Sequence, residues 1–185
     1  MRDHFEQSLA WFREALFSGA PMELRASEAW TDDPWFLDQD HRSVLVNEGW
    51  WPLRRGEVSG RVVGGNLCTL NLLQATQFMP ALDGALLFVE DEVSDVATFA
   101  RDLTSLLQLP DAGAITGLVI GRFQRASGMT RSLLEQIIER QPVLAGRPVL
   151  ANVDFGHTNP VMTLPIGGKA TVAVGEETKL TITEH

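Results

Sequence analysis

The sequence predicts an α/β fold in which short parallel β-α-β units are closed by an antiparallel hairpin and preceded by one amphipathic helix. Three observations carry that expectation. From residue 60 onward, short apolar runs alternate with stretches of helical periodicity, the pattern of parallel strands joined by right-handed crossovers. The tail alternates apolar with polar residues, as a half-covered antiparallel pair does. The N-terminal segment repeats apolar side chains at helical spacing.

Asp3 is placed to cap a helix over residues 3–18, with Phe5, Leu9, Phe12 and Leu16 on one face and Gly19 and Pro21 as stop signals. Residues 26–51 read as an ordered surface arm, containing "EAWTDDPWFLDQD" and "NEGWW" and four of the five tryptophans. "GRVVGGNL" reads as a strand running into a glycine turn, with a helix opening at "CTLNLLQ". "GALLFVED" is a buried strand that ends in acid. Ser94 or Asp95 caps the next helix, whose Val96, Phe99, Leu103 and Leu106 share a face. "GLVIGRF" is a second buried strand, Thr130 caps a helix carrying Leu133, Leu134, Ile137 and Ile138, and "RPVLANVDFGH" supplies a third strand. "VMTLPIGGKATVAV" and "KLTITEH" meet at the "GEET" turn as the closing hairpin.

At 185 residues the chain suits one well-packed domain, with or without a helical extension. A net charge of -9 and the lack of a basic stripe argue against nucleic acid as a partner, because that affinity rests on Lys and Arg neutralising phosphates. The single cysteine, Cys68, excludes an internal disulfide and a cysteine-rich zinc site, and makes a reducing cytoplasm the expected compartment. Cys68 falls on an apolar helix and reads as core rather than nucleophile. No apolar stretch approaches the ~20 residues needed to span a bilayer, and the start is polar rather than signal-like, so no membrane is expected.

In open sheets with parallel strands, sites form outside the carboxyl ends of the strands. Glu90 follows the first buried strand and His157 lies just past the third, so both fall on that edge. A carboxylate beside an imidazole fixes its tautomer and stabilises its protonated form, the orienting role in a nucleophile, base and acid relay. The residues alone leave other readings open. Glu90 can cap the next helix, as can Asp91 or Glu92, and His157 can bond a backbone carbonyl in its turn. Asp154, His157, Glu90 and Asp91 also form a conceivable metal-ligand set. No second histidine sits at ligand spacing, and neither a metal nor a cofactor is expected.

Taken in order, "WTDDPWFLDQD", "NEGWW", "GRVVGGNLCTLNLLQAT", "LDGALLFVEDE", "GLVIGRF" and "PVLANVDFGHTNPVMTLPIGG" resemble the C-terminal half of the LD-carboxypeptidase family of serine peptidases. The tryptophan-rich arm and "GGNLCTLNLLQ" are more similar to the microcin C immunity branch than to the branch that serves peptidoglycan recycling. The resemblance covers nearly the whole chain, most strongly residues 28–168.

This resemblance implies a swivelling β/β/α domain over residues 26–185. Residues 1–25 are then a helix and linker left from the boundary with a missing N-terminal domain. It also implies a serine, glutamate and histidine as catalytic residues. Glu90, in the acidic end of the "LED"-type strand, takes the orienting role, and His157, of the "DFGH" block, is the base. The nucleophile does not carry over: the chain has no tyrosine and no "GYSD"-like serine elbow, so the isolated chain is expected to be inactive.

Substrates in the family are muropeptides cut at an L to D bond, or aminoacyl groups joined by an amide to a nucleotide-like phosphoramidate. The second suits Trp30 or Trp35 stacking on a purine, the alternative being that these indoles pack the arm onto the sheet. Asn66 either contacts substrate or caps its helix. A helix left without its partner domain exposes an apolar face, so a homodimer or higher oligomer is expected. The alternative is a non-catalytic module or truncated remnant that binds nucleotidyl-peptides or muropeptides.

Overall fold

In the computed structural model, residues 5–34, 37, 38 and 40–185 are described. Helix α1 (Glu6–Phe17) leads into β1 (Met22–Leu24), and the arm carries β2 (Ala29–Trp30) and β3 (Leu45–Val46) before β4 (Trp51–Arg54). The long strand β5 (Gly56–Asn66) passes directly into α2 (Leu67–Leu72). β6 (Ala85–Glu90), α3 (Val96–Leu107), β7 (Gly117–Gly121), α4 (Arg131–Glu139) and β8 (Val149–Val153) follow, and β9 (Lys169–Val174) and β10 (Lys179–Glu184) close the chain.

The main sheet has the order β1-β10-β9-β5-β6-β7-β8-β4, while β2 and β3 pair separately. β5, β6, β7 and β8 are parallel, as the alternation of apolar runs and helices predicts. β5 joins two sheet halves: residues 56–61 pair antiparallel with β9, and residues 61–66 pair parallel with β6. The predicted hairpin is β9 against β10, and β1 extends it.

Period-two alternation in the central strands supplies both layers of core. Val63, Leu87, Val89, Leu118 and Ile120 face α2, α3 and α4 through Leu67, Phe99, Leu103, Leu134 and Ile138. Val62, Leu86, Phe88, Val119 and Leu150 face the opposite way, where Val172, Leu180, Ile182, Met22 and Trp11 cover them. The result is a layered arrangement of helices, central sheet and a second β layer. Both faces of the parallel strands are buried, which is why those strands read as continuous apolar runs.

Four expectations change on folding. The helix starts at Glu6 without a side-chain cap, and Asp3 lies outside the described residues. α1 buries Trp11 and Ala15, leaving Leu9, Phe12 and Leu16 of the predicted face exposed together with Phe17. The sheet selects the face bearing the largest apolar side chain. Ser8 Oγ adds a tether, accepting a 2.8 Å hydrogen bond from the Val161 amide. Gly64 and Gly65 lie within β5 rather than in a turn. A Cβ on Gly64 would fall 1.7 Å from the Phe88 carbonyl oxygen, so the strands meet there at a distance only glycine allows. Cys68 is exposed, not in the core, because α2 turns Leu67 and Leu70 inward instead.

Candidate functional site

β5 and β6 end level with one another, Asn66 beside Glu90, and β8 delivers residues 154–158 to the same edge. The Glu90 side chain is 10% exposed. Gly156, at φ +101°, lets the following loop close onto that carboxylate, since a Cβ there would lie 2.6 Å from Glu90 Oε2. The closure brings His157 Nδ1 within 2.6 Å of Glu90 Oε2. With Nδ1–H donating to the carboxylate, Nε2 is the nitrogen left to exchange a proton. The imidazole remains 38% exposed and lines a cleft of about 320 Å³ with Asp32, Asp33, Glu92, Gln124 and Thr158.

The turn and capping readings for this pair give way to that contact. Asp95 caps α3, accepting from the Thr98 amide at 2.7 Å, so Glu90 does not serve the helix. Asp91 accepts from Ser94 Oγ at 2.6 Å and from the Glu92 amide at 3.0 Å. Glu92 approaches the other side of the imidazole, its Oε2 3.7 Å from Nε2. Nothing in the sequence separates Glu92 from its acidic neighbours, because only the turn after β6 decides which carboxylate faces the ring. Among the described residues no three His, Cys, Asp or Glu side chains converge as a metal site.

Asn66 caps α2, its Oδ1 accepting from the amide and hydroxyl of Thr69 at 3.0 Å each, while its Nδ2 lies 3.4 Å from Asp91 Oδ1. It does not line the His157 cleft.

The arm is fastened over this edge. Thr31 and Asn159 exchange both backbone hydrogen bonds at 2.8 Å, joining the arm to the loop that carries His157. Asp32 accepts from the Arg125 amide and Nε, and Asp33 from Arg125 Nη2, each at 2.6 Å. The Ser43 amide, more than Arg125, holds the Asp33 carboxyl below the usual carboxylate range, and the bond to Asp32 raises the Arg125 guanidinium. Trp30 is half-buried and, with Trp51, Phe123 and Asn152, lines a neighbouring cleft of about 420 Å³. Trp35 lies outside the described residues.

Beneath the arm, Arg122 and Asp154 form an ion pair with side chains 1% and 0% exposed and Nη2 2.8 Å from Oδ1. Asp154 also accepts from Ser27 Oγ at 2.5 Å and from Trp50 Nε1 at 2.9 Å. Asn152, a left-handed residue (φ +57°) at an irregularity in the β7–β8 register, donates to the Gly49 carbonyl at 2.7 Å and accepts from Arg122 Nε at 3.3 Å. Burial pulls the Arg122 guanidinium below the usual arginine range, and Asp154 opposes that shift.

Residues 59–172 match the LD-carboxypeptidase C-terminal domain. A putative carboxypeptidase of Bacillus subtilis, YocD, is 38% identical over all of this chain and 58% of its own length. The Escherichia coli microcin C7 self-immunity protein MccF is 36% identical over 70% of this chain and 38% of its own length. The crystal structure of an MccF-like protein from Bacillus anthracis superposes with a TM-score of 0.96 at 39% identity, covering 100% of this chain and 58% of that one. A structure of MccF with glutamyl sulfamoyl guanosine gives 0.79 at 26% identity, over 97% of this chain and 56% of that one. The chain spans little more than half the length of such relatives. With this family match, this identity over its whole length and this superposition, the chain belongs to the LD-carboxypeptidase family and corresponds to its C-terminal domain.

Proposed function

We propose that this chain contributes the glutamate and histidine of a Ser-Glu-His relay for amide hydrolysis, the serine being carried by an N-terminal domain outside these residues. The supporting observation is the 2.6 Å contact of His157 Nδ1 with Glu90, which leaves Nε2 toward an open cleft. In this reading Nε2 takes the proton as the serine oxygen attacks the scissile carbonyl carbon. It then returns that proton to the departing amine, and the cycle repeats with water on the acyl-enzyme. Glu90 holds the tautomer and stabilises the imidazolium.

No serine hydroxyl among the described residues hydrogen-bonds His157. In this reading the nucleophile belongs to the serine-bearing domain, and the isolated chain is expected to be inactive. Residues 26–185 form the catalytic half, and residues 1–25 lie at its boundary with the serine-bearing domain. The exposed apolar side chains of α1 favour a homo-oligomer, and the use of a single cysteine suits a reducing cytoplasm.

Between the two substrate classes, an aminoacyl group on a nucleotide-like amide suits the aromatic arm better than a muropeptide of peptidoglycan recycling. Trp30 offers a stacking face, Asn66 sits at the adjacent strand end, and MccF has been seen in complex with glutamyl sulfamoyl guanosine. Trp35 is proposed as a second stacking residue on sequence grounds alone. A second reading, a small-molecule binding module without catalysis, draws on the separate cleft walled by Trp30, Trp51 and Phe123. The test is to assay the chain on an LD-tetrapeptide and on an aminoacyl sulfamoyl adenosine, alone and with a serine-bearing N-terminal domain. The relay requires no turnover alone, and turnover with the added domain that Glu90→Gln and His157→Ala abolish. Turnover by the chain alone that His157→Ala removes would overturn the assignment of an external serine.

A further inference from the structure

We infer that Arg122 is a positioning residue for Trp30, fixing the plane of the indole against which a flat heteroaromatic ligand stacks. The inference rests on the reading of Trp30 as a stacking surface. A buried arginine held for charge alone matches its planar fork to a carboxylate in two parallel bonds. Arg122 does not. Nη2 approaches one oxygen of Asp154 at 2.8 Å, yet among the described residues neither Nη1 nor Nη2 donates a well-aligned hydrogen bond. The other Asp154 oxygen accepts from Trp50 Nε1.

The guanidinium is instead placed under an aromatic ring, with Cζ 5.1 Å from the Trp30 centroid. Burial strengthens such a contact, because the cation has already been stripped of water. Thr31 fastens the backbone beside Trp30, but β2 is two residues long and, among the described residues, pairs with the equally short β3 alone, so the plane of the indole depends on what lies against the ring. Arg122 itself does not line the 420 Å³ cleft that Trp30 walls with Trp51 and Phe123; it touches that lining through the Trp30 ring and through Asn152. Its position is fixed in turn by β7 and by Asn152, which accepts from Nε. The ligand class that fits is a purine or similar planar base, clamped by an indole that cannot tilt.

The experiment titrates the 185-residue chain with adenosine 5′-monophosphate, following tryptophan fluorescence well below the unfolding temperature. The variants are Trp30→Ala, Arg122→Lys, Arg122→Met and the Trp30→Ala/Arg122→Lys pair. Lysine keeps a charge for Asp154 but has no planar face, so Arg122→Lys separates stacking from ion pairing even where Arg122→Met fails to fold. Arg122→Lys is expected to weaken binding about tenfold, because an ammonium leaves the indole without a plane to rest on. The pair is expected to bind as Trp30→Ala does, because the inference routes the effect of Arg122 through that ring and not through Asn152. Parent-like affinity in Arg122→Lys, or a further loss in the pair, overturns the inference while leaving the stacking reading intact. A parent chain that does not bind the nucleotide at millimolar concentration, or a Trp30→Ala variant that binds it equally well, overturns the stacking reading and the inference with it.

Discussion

Gly156 lies against Glu90 so closely that a Cβ on it would sit 2.6 Å from the carboxylate oxygen that holds His157. Its φ of +101° adds a conformation that side chains resist. Gly156→Ala is therefore expected to push the carboxylate aside and to cost about 1–3 kcal/mol of strain. The check is a urea denaturation curve together with the ¹⁵N signal of His157, whose Nδ1–H to carboxylate bond should be lost. An unchanged histidine signal would show that the loop tolerates the methyl group.

Asp154 pairs with the Arg122 charge and accepts hydrogen bonds from Ser27 and Trp50, with no exposure to water. Replacing it by leucine strands a buried guanidinium, and about 3–5 kcal/mol of stability should disappear. Adding Arg122→Met should recover much of that loss, because the uncompensated charge goes with it. A double-variant cycle measured by chemical unfolding checks this, and simple additivity would contradict it.

Acid should loosen the arm. In the folded chain the Asp33 carboxyl is held below the ordinary aspartate value, mainly by the Ser43 amide and then by Arg125. A depressed folded pKa means the contribution is complete above the unfolded value and lost as pH falls through the folded one. Amide exchange at Ser43 is thus expected to accelerate relative to the sheet only below about pH 4. Asp33→Asn should show fast exchange at all pH values. Equal exchange in parent and variant at neutral pH would remove Asp33 as a fastener.

Leu9, Phe12, Leu16 and Phe17 leave an apolar stripe on α1. Light scattering at micromolar concentration should report a species larger than a monomer, and Phe12→Glu with Phe17→Glu should reduce it to one. A monomeric parent would contradict the expected association.

Much of the fold was legible because its signals are local. Leu86 to Val89 alternate between two buried faces, Asp95 and Thr130 accept from amides three residues on, and the tail alternates as a half-covered pair does. Glu90 and His157 were legible in a weaker sense: strand polarity assigns both to one edge, and that edge is where the structure joins them at 2.6 Å. Other relationships left no local trace. Which face α1 buries depends on the sheet beneath it, and the bridge from Thr31 to Asn159 links segments 128 residues apart. The burial of Arg122 gives no local signal either, because an isolated arginine in "GLVIGRF" looks like the end of a strand.

By itself, the sequence determined the α/β order of elements, the caps of α3 and α4 to within a residue, and the edge on which Glu90 and His157 lie. Periodicity, capping and strand polarity act over a few residues and survive in one dimension. Only the tertiary structure decided that Gly156 would close the loop onto Glu90, that Glu92 rather than Asp91 would approach the second imidazole nitrogen, and that Arg122 would lie beneath Trp30. Those outcomes depend on close approach between distant backbones and on which charges are stripped of water together, quantities that exist only once the layers have packed.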